Sequence, residues 1–207
     1  MPPFFLLAAA AAAAIEAPPG VADPDIAGMV TAQEYPAEAR AANRSTAATI
    51  ELRVDTTGQP QACRVVSALG DAQLAREVCR IAEGKRYNPA RLKDGTPAFA
   101  VVTTQVRLYV PGPASQAIAA ALRSPQVEVK VAKLRGNAMS EDVELVTAVD
   151  AEGKVIECGP KREEQRSLAE GICSHAELFH PGVVKDDAGT ATPYIAETLV
   201  RAWSAPH

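Results

Sequence analysis

The sequence predicts an α+β fold built from two tandem units, each a small antiparallel sheet packed by one helix in the order strand, strand, helix, strand. Short segments alternate apolar and polar residues with the period of a half-buried strand. A stretch with helical spacing follows the second such segment. The pattern then recurs at a nearly constant offset, since Val54–Cys63 and Val149–Cys158 both read V-D-x-x-G-x-x-x-x-C. Internal repetition of this kind is the signature of duplicated structural units.

In the first unit, Ile50, Leu52 and Val54 alternate with charged residues and predict the first strand. The segment 55–58 has the Asp and Gly that tight turns favour, and a second strand is expected at about 62–66.

The helix of this unit is predicted from Asp71, a suitable N-cap, followed by Leu74, Val78 and Ile81 at helical spacing. Asn88-Pro89 breaks the chain, and residues 101–110 alternate as a last strand.

The second unit repeats this order with weaker apolar patterning. Strands are expected at 145–149, 155–158 and 194–203, with Leu168, Ile172 and Ala176 marking the helix. The predicted organisation is a signal peptide at 1–17, a first unit at 33–110, a linker at 111–126 and a divergent second unit at 127–204. The linker is expected to contain a short helix at 115–123, and 127–131 to add a strand.

The four cysteines occupy equivalent places in the two units. Cys63 and Cys158 end second strands, while Cys79 and Cys173 lie near the core side of the helices, so packing helix on sheet predicts the pairs Cys63–Cys79 and Cys158–Cys173. A redox-active dithiol is the first alternative, although neither pair has the C-x-x-C spacing. A metal site that adds His175 and His180 is the second alternative, although the first unit has no histidine.

The N-terminal segment has the length of a signal-peptide apolar region. Residues 4–15 are an unbroken apolar run, too short to cross a bilayer as a conventional helix. Together with the even number of cysteines, this run predicts export to the periplasm. The alternative is that the segment is not cleaved and anchors the chain in the inner membrane.

Composition and motifs argue against several function classes. A net charge of −4 and a pI near 5.5 give no basic surface for nucleic acid. The sequence has no G-x-S-x-G, no Gly-rich phosphate loop and no H-E-x-x-H, so no enzyme activity and no cofactor is predicted. A thiol or metal enzyme remains the least favoured alternative.

Four segments of the first unit then point to a family. Tyr35–Ala39, Ile50–Gly58, Tyr87–Ala90 and Asp94–Pro97 form an ordered series of motifs. Over residues 33–110 this series resembles the TonB C-terminal domain, in a form that contains cysteines, and the second unit is similar mainly through the first.

The resemblance implies a non-catalytic module that binds an extended peptide by adding a strand to a sheet edge. The implied partner is an envelope protein or peptide, including an outer-membrane TonB-dependent receptor. The last strand of the first unit is the candidate edge, unless the linker strand or the second unit covers it. Its candidate residues are Thr103, Gln105, Arg107 and Tyr109.

A membrane-anchored energy transducer is the alternative function that the resemblance implies. Such a transducer carries a long Pro-rich spacer between its anchor and this domain. Here Pro18, Pro19 and Pro24 occupy the interval before the first unit, which favours the binding module.

Overall fold

Six long strands form one mixed sheet in the computed structural model, which describes residues 33–205. The helices are α1 (Ala37–Ala41), α2 (Ala72–Glu83), α3 (Ser115–Ala120) and α4 (Arg166–Cys173). The strands are β1 (Thr46–Val54), β2 (Pro60–Gly70), β3 (Ala90–Arg91), β4 (Pro97–Leu108), β5 (Val127–Lys130), β6 (Ser140–Val149), β7 (Val155–Pro160), β8 (Val184–Lys185), β9 (Ala191–Thr192) and β10 (Tyr194–Trp203).

The strand order is β2-β1-β4-β10-β6-β7, with β3 paired to β4 and β5 paired to β10. The strands β8 and β9 form a separate hairpin. The predicted α+β class is confirmed, and the two expected antiparallel sheets are joined into one. The predicted signal peptide, residues 1–17, lies outside the described residues.

In the N-terminal half, from β1 to β4, two aspartate side chains stabilise the first turn and the start of the helix. The Asp55 carboxylate accepts hydrogen bonds from the N–H groups of Thr57 and Gln59 at 2.8 and 2.9 Å, which closes the turn between β1 and β2. Asp71 caps α2 by accepting a bond from the Leu74 N–H at 2.6 Å. The predicted turn and helix cap are therefore confirmed.

The C-terminal half, from β6 to β10, has the same order. Asp150 repeats the turn by accepting bonds from the N–H groups of Glu152 and Lys154 at 3.1 and 2.8 Å. The helix ends earlier than expected, at Cys173, and Ala176 lies in a separate 3₁₀ turn. The Ser174 hydroxyl donates to the Gly171 carbonyl at 2.8 Å, so a side chain satisfies one of the last carbonyl acceptors of the helix.

Equivalent turn glycines pack against the segment that follows each helix. Gly58 has a φ of +83°, and a Cβ there would lie 1.8 Å from the Tyr87 carbonyl oxygen. Gly153 has a φ of +84°, and a Cβ there would lie 2.9 Å from the backbone of Gly182. Both positions need a residue without a side chain, because the left-handed conformation and the close approach exclude a Cβ.

The two halves meet through a short parallel pairing of β4 and β10. Phe99, Ala100 and Val101 lie opposite Tyr194, Ile195 and Ala196. The helix α2 packs on one face of the sheet, named here the α2 face, and α4 packs on the other, the α4 face. If a two-fold axis parallel to the strands related the two halves, their adjoining strands would be parallel and their helices would lie on opposite faces, as observed here.

The cores follow from this arrangement. The largest buried cluster lies on the α2 face and includes Ile50, Leu52, Leu74 and Val78. It also contains three residues of the C-terminal half: Val146, Ala148 and Ile195. Smaller clusters lie on the α4 face, one beneath α4 and one around Tyr194. Shared burial therefore links the halves across their junction. Between residues 33 and 205, no helix has the length and apolar character needed to cross a membrane.

Candidate functional site

The four cysteines form the two predicted disulfides. Cys63 pairs with Cys79 and Cys158 with Cys173, with Cα atoms 5.4 and 5.5 Å apart. Each bridge ties the second strand of its half to its helix. The sulfur atoms are thereby engaged with each other, so a thiolate nucleophile or metal ligand would require their reduction.

The histidines of the second alternative lie outside any ligand cluster. His175 is exposed and its Nδ1 is 3.7 Å from the Glu177 carboxylate, and His180 is also exposed. Within the described residues, no group of three or more His, Cys, Asp or Glu side chains is placed to hold a metal ion.

The candidate edge strand β4 lies inside the sheet. β1 pairs with it along one side from Ala100 to Leu108, and β10 pairs with Phe99–Val101 on the other. The C-terminal half therefore covers β4 at Phe99–Val101, as the alternative expected, whereas the candidate residues from Thr103 to Tyr109 lie beyond this pairing. Sequence patterning could not show this, because backbone pairing between two apolar strands leaves little side-chain trace.

Beyond Val101 the strands β4 and β10 diverge, and side chains of the linker bind the backbone of both strands in the gap, named here the fork. The Arg123 guanidinium donates to the Thr103 carbonyl on the β4 side. On the β10 side, the Gln126 side-chain amide donates to the Glu197 carbonyl and accepts from the Leu199 N–H. Gln126 thus makes with its side chain the bonds that a neighbouring strand's peptide group would make.

The four candidate residues have different environments. Thr103 is buried and its carbonyl is taken by the linker. Gln105 is half-buried, and its side-chain oxygen has no hydrogen-bond partner. Arg107 donates to the Ala121 carbonyl at 3.1 Å, and Tyr109 lies just beyond the strand and is half exposed. The linker therefore holds two of the four, and they do not form one open surface.

The outer strands β2 and β7 are the edges of the sheet. β2 has eleven residues, and all five from Val66 to Gly70 are exposed, with Val66 at 48% and Leu69 at 49%. No charged residue occurs from Val65 to Gly70. A long, uncharged and exposed edge is a template for pairing with another chain.

The helix α2 binds the start of β2 through a backbone donor. The Cys63 N–H donates to the Glu83 carboxylate at 3.0 Å. A β-bulge lies opposite Thr49 and Ile50, and Gly70 has a φ of +94°, so the regular part of the free edge is Ser67–Leu69.

The strand β7 has more of the features that protect an edge than β2 has. It is six residues long and ends at the buried Pro160. Glu157 lies within it and is 3.8 Å from the Lys93 ammonium. Short length, proline and charge each discourage pairing with another chain. Ile156 is its exposed apolar residue, at 56%.

Charges flank the β2 edge on the α4 face. Arg64 binds Glu51 through two hydrogen bonds of 2.8 and 2.6 Å, and these bonds raise the pKa of the guanidinium. In the adjacent turn, partial burial opposes ionisation of Asp55, but bonds from Gln59 and Thr57 outweigh it and lower the pKa of the carboxyl. Sequence reasoning identified the turn residues but not the β2 edge, whose uncharged run from Val65 was the available signal.

Comparison with known proteins supports the resemblance in the N-terminal half. Residues 31–107 match the family model of the Gram-negative bacterial TonB protein C-terminal. The match covers less than half of the chain. No curated protein and no solved structure matches the sequence. The matched region is therefore similar to a domain of the bacterial cell envelope whose family is non-catalytic.

Proposed function

We propose that the protein is an exported, non-catalytic binding module that takes an extended segment of another envelope protein as an added strand along β2. The observation that carries the proposal is the free edge from Ser67 to Leu69 next to the exposed Val66. Backbone bonds along this edge supply affinity, and side chains beside Val66 and Leu69 supply selectivity.

Three features support the location. The matched family region contains β2, so the edge belongs to the TonB-like part of the chain. On the far side of β4, β10 pairs with Phe99–Val101 and the linker binds the Thr103 carbonyl, which favours β2 as the free edge of that half. The disulfide Cys63–Cys79 fixes β2 to α2, so the edge keeps its shape when it is unoccupied.

The chemistry of the edge indicates the kind of segment it accepts. Because residues 65–70 carry no charge, an apolar, β-branched segment would pair there without leaving a charge unsolvated. Segments of outer-membrane TonB-dependent receptors are the first candidates, since the family match points to envelope partners. We further infer that the C-terminal half is a diverged second copy that supports the first.

The test maps binding on the oxidised protein by amide chemical shifts, with synthetic peptides from the periplasmic ends of such receptors. The expected changes lie between Arg64 and Gly70. Leu69→Lys should weaken binding at least about tenfold, because it places a charge on the edge. Ile156→Lys makes the same change on the other edge strand and should leave binding intact.

Two results would count against the proposal. Shift changes at Thr103–Tyr109 would return the binding site to β4. Failure of the protein to retain any receptor peptide or any envelope protein from a solubilised envelope fraction would remove strand addition as its function.

A further inference from the structure

We propose a second binding site, a cleft on the α4 face that accepts a small apolar molecule with one negative charge. The cleft has a volume of about 330 Å³. This lies at the lower end of the range for small-molecule sites. It sits where the halves meet, with β1, β2 and β4 on one side and β10 and the segment 179–184 on the other. It does not depend on the β2 edge.

The floor and one wall are apolar. Val101 of β4 and Ala196 of β10 lie side by side in the parallel pairing, and Val127, Phe179 and Val183 line the cleft around them. Val183 is 49% exposed at the surface. These groups provide the dispersion contacts and burial that an apolar ligand body needs.

Tyr194 holds the cleft in shape. Its side chain is 2% exposed, and its hydroxyl donates to the Gly182 carbonyl at 2.8 Å, which ties the segment 179–184 to the sheet. Burial raises the pKa of this phenol, and the nearby Glu51 carboxylate raises it further while Arg53 lowers it. Tyr194, Glu51 and Arg53 therefore lie close together in the lining of the cleft.

At the mouth of the cleft, two cations share one carboxylate. Glu51 is bound by Arg64 through two bonds, whereas Arg53 Nε is 3.9 Å from the same carboxylate, beyond hydrogen-bond distance. The Arg53 side chain is 43% exposed. The Glu197 side chain shares the α2 face with its strand partner Val146, where its carboxylate is 2.9 Å from Lys161. On the α4 face, Glu51, Arg53 and Arg64 together carry one net positive charge, which favours a monoanion that the Arg53 guanidinium can bind with two donors.

The two halves differ at the positions that supply the charged residues of the cleft. The C-terminal positions equivalent to Glu51 and Arg53 are Val146 and Ala148, which are buried in the cluster that contains Tyr87. The two equivalent positions thus pack into the apolar core on the α2 face in one half, while on the α4 face they line an open cleft with charged side chains in the other. A departure from the shared design in one half is where a functional site is expected.

The test titrates the full, oxidised chain with 8-anilinonaphthalene-1-sulfonate, an apolar monoanion that fluoresces when bound. Saturable binding to one site is expected. Arg53→Gln should weaken it about tenfold. Glu51→Gln should strengthen it, because Arg64 is released as a second cation. Thr198→Phe, at a half-buried position in the lining, should block the site. The neutral analogue N-phenyl-1-naphthylamine should be insensitive to the two charge variants.

Leu69→Lys, outside the cleft, is the matched control and should leave the titration unchanged, which also separates this site from the β2 edge. The opposite signs at positions 51 and 53 distinguish ligand binding from a loss of folding. The proposal is overturned if native protein shows no saturable binding, or if binding is the same in Arg53→Gln and Glu51→Gln. Loss of dye fluorescence in Thr198→Phe supports the site only if the far-UV circular dichroism of the variant is that of the native protein. If the variant is misfolded, the titration of Arg53→Gln is the deciding test.

Discussion

The two halves share one topology but treat equivalent positions differently. The N-terminal half has a twelve-residue helix with a side-chain cap, whereas the helix of the C-terminal half has eight residues and no side-chain cap. The N-terminal half also presents a longer edge strand with an uncharged run, and the charged residues Glu51 and Arg53 where the other half has Val146 and Ala148. This difference is why the proposed strand addition is placed on the N-terminal half and the proposed cleft where that half meets the other.

This division depends on the halves folding as one unit. Ile50 and Leu145 occupy equivalent positions and are both fully buried. Replacing either with Ala should lower the free energy of unfolding by about 2–5 kcal/mol, because a cavity is left in a core. The single tryptophan, Trp203, lies in β10 and reports on the C-terminal half.

In denaturant titrations, Ile50→Ala should shift the Trp203 fluorescence transition as far as the circular dichroism transition, since the buried cluster spans the junction. Leu145→Ala is the matched variant and should behave alike. A Trp203 transition that Ile50→Ala leaves in place would show that the halves unfold independently.

The disulfides allow a second comparison at the same position in each half. The bridges close segments of 16 and 15 residues. In the chain-entropy model each should contribute about 3 kcal/mol. The double variants Cys63→Ala/Cys79→Ala and Cys158→Ala/Cys173→Ala should therefore lower the free energy of unfolding by nearly equal amounts, measured by urea titration. If removing one of the two bridges leaves the free energy of unfolding unchanged, the half that contains that bridge is stabilised mainly by its contacts with the other half.

The turn glycines separate backbone strain from a steric clash. Gly58→Ala introduces a Cβ 1.8 Å from the Tyr87 carbonyl oxygen, whereas Gly95 has a similar φ of +85° with nothing within 4 Å of its Cβ position. Gly95→Ala should cost about 1 kcal/mol from conformation alone. Gly58→Ala should cost about 2–3 kcal/mol, because the turn must also move. Equal thermal unfolding midpoints for the two variants would contradict the packing of Tyr87 on this turn.

Local features could be predicted from the sequence, whereas the joining of the halves could not. Asp55 and Asp71 act on backbone groups two to four residues away, so their roles follow from sequence position. The disulfides followed because strand and helix assignments put each cysteine pair on facing surfaces.

The meeting of β4 with β10 depends on which backbone edges approach, and any strand with free N–H and C=O groups can serve. The residues that seal the fork, Arg123 and Gln126, are single polar side chains in a linker with no motif. The cleft results from that junction, so it became visible only in the structure, whereas the β2 edge had a sequence signal in its uncharged run from Val65.

The smallest effect concerns acid stability, where the halves differ through Asp142. In the C-terminal half its carboxylate accepts two bonds from Arg201, of 2.7 and 2.9 Å, which lower its pKa below the ordinary 3.8. Because the folded pKa lies below the unfolded one, the stabilisation is fully present above about pH 4 and is lost as the pH falls through the folded value.

The pair is about one-third exposed, so solvent screening limits its contribution to less than about 1 kcal/mol. Asp142→Asn should therefore lower the unfolding midpoint slightly at pH 7 and bring wild type and variant together near pH 2, measured by thermal melts across that range. A difference that persists at pH 2 would mean that position 142 acts through packing. In that case the charge pair would not distinguish the C-terminal half from its counterpart.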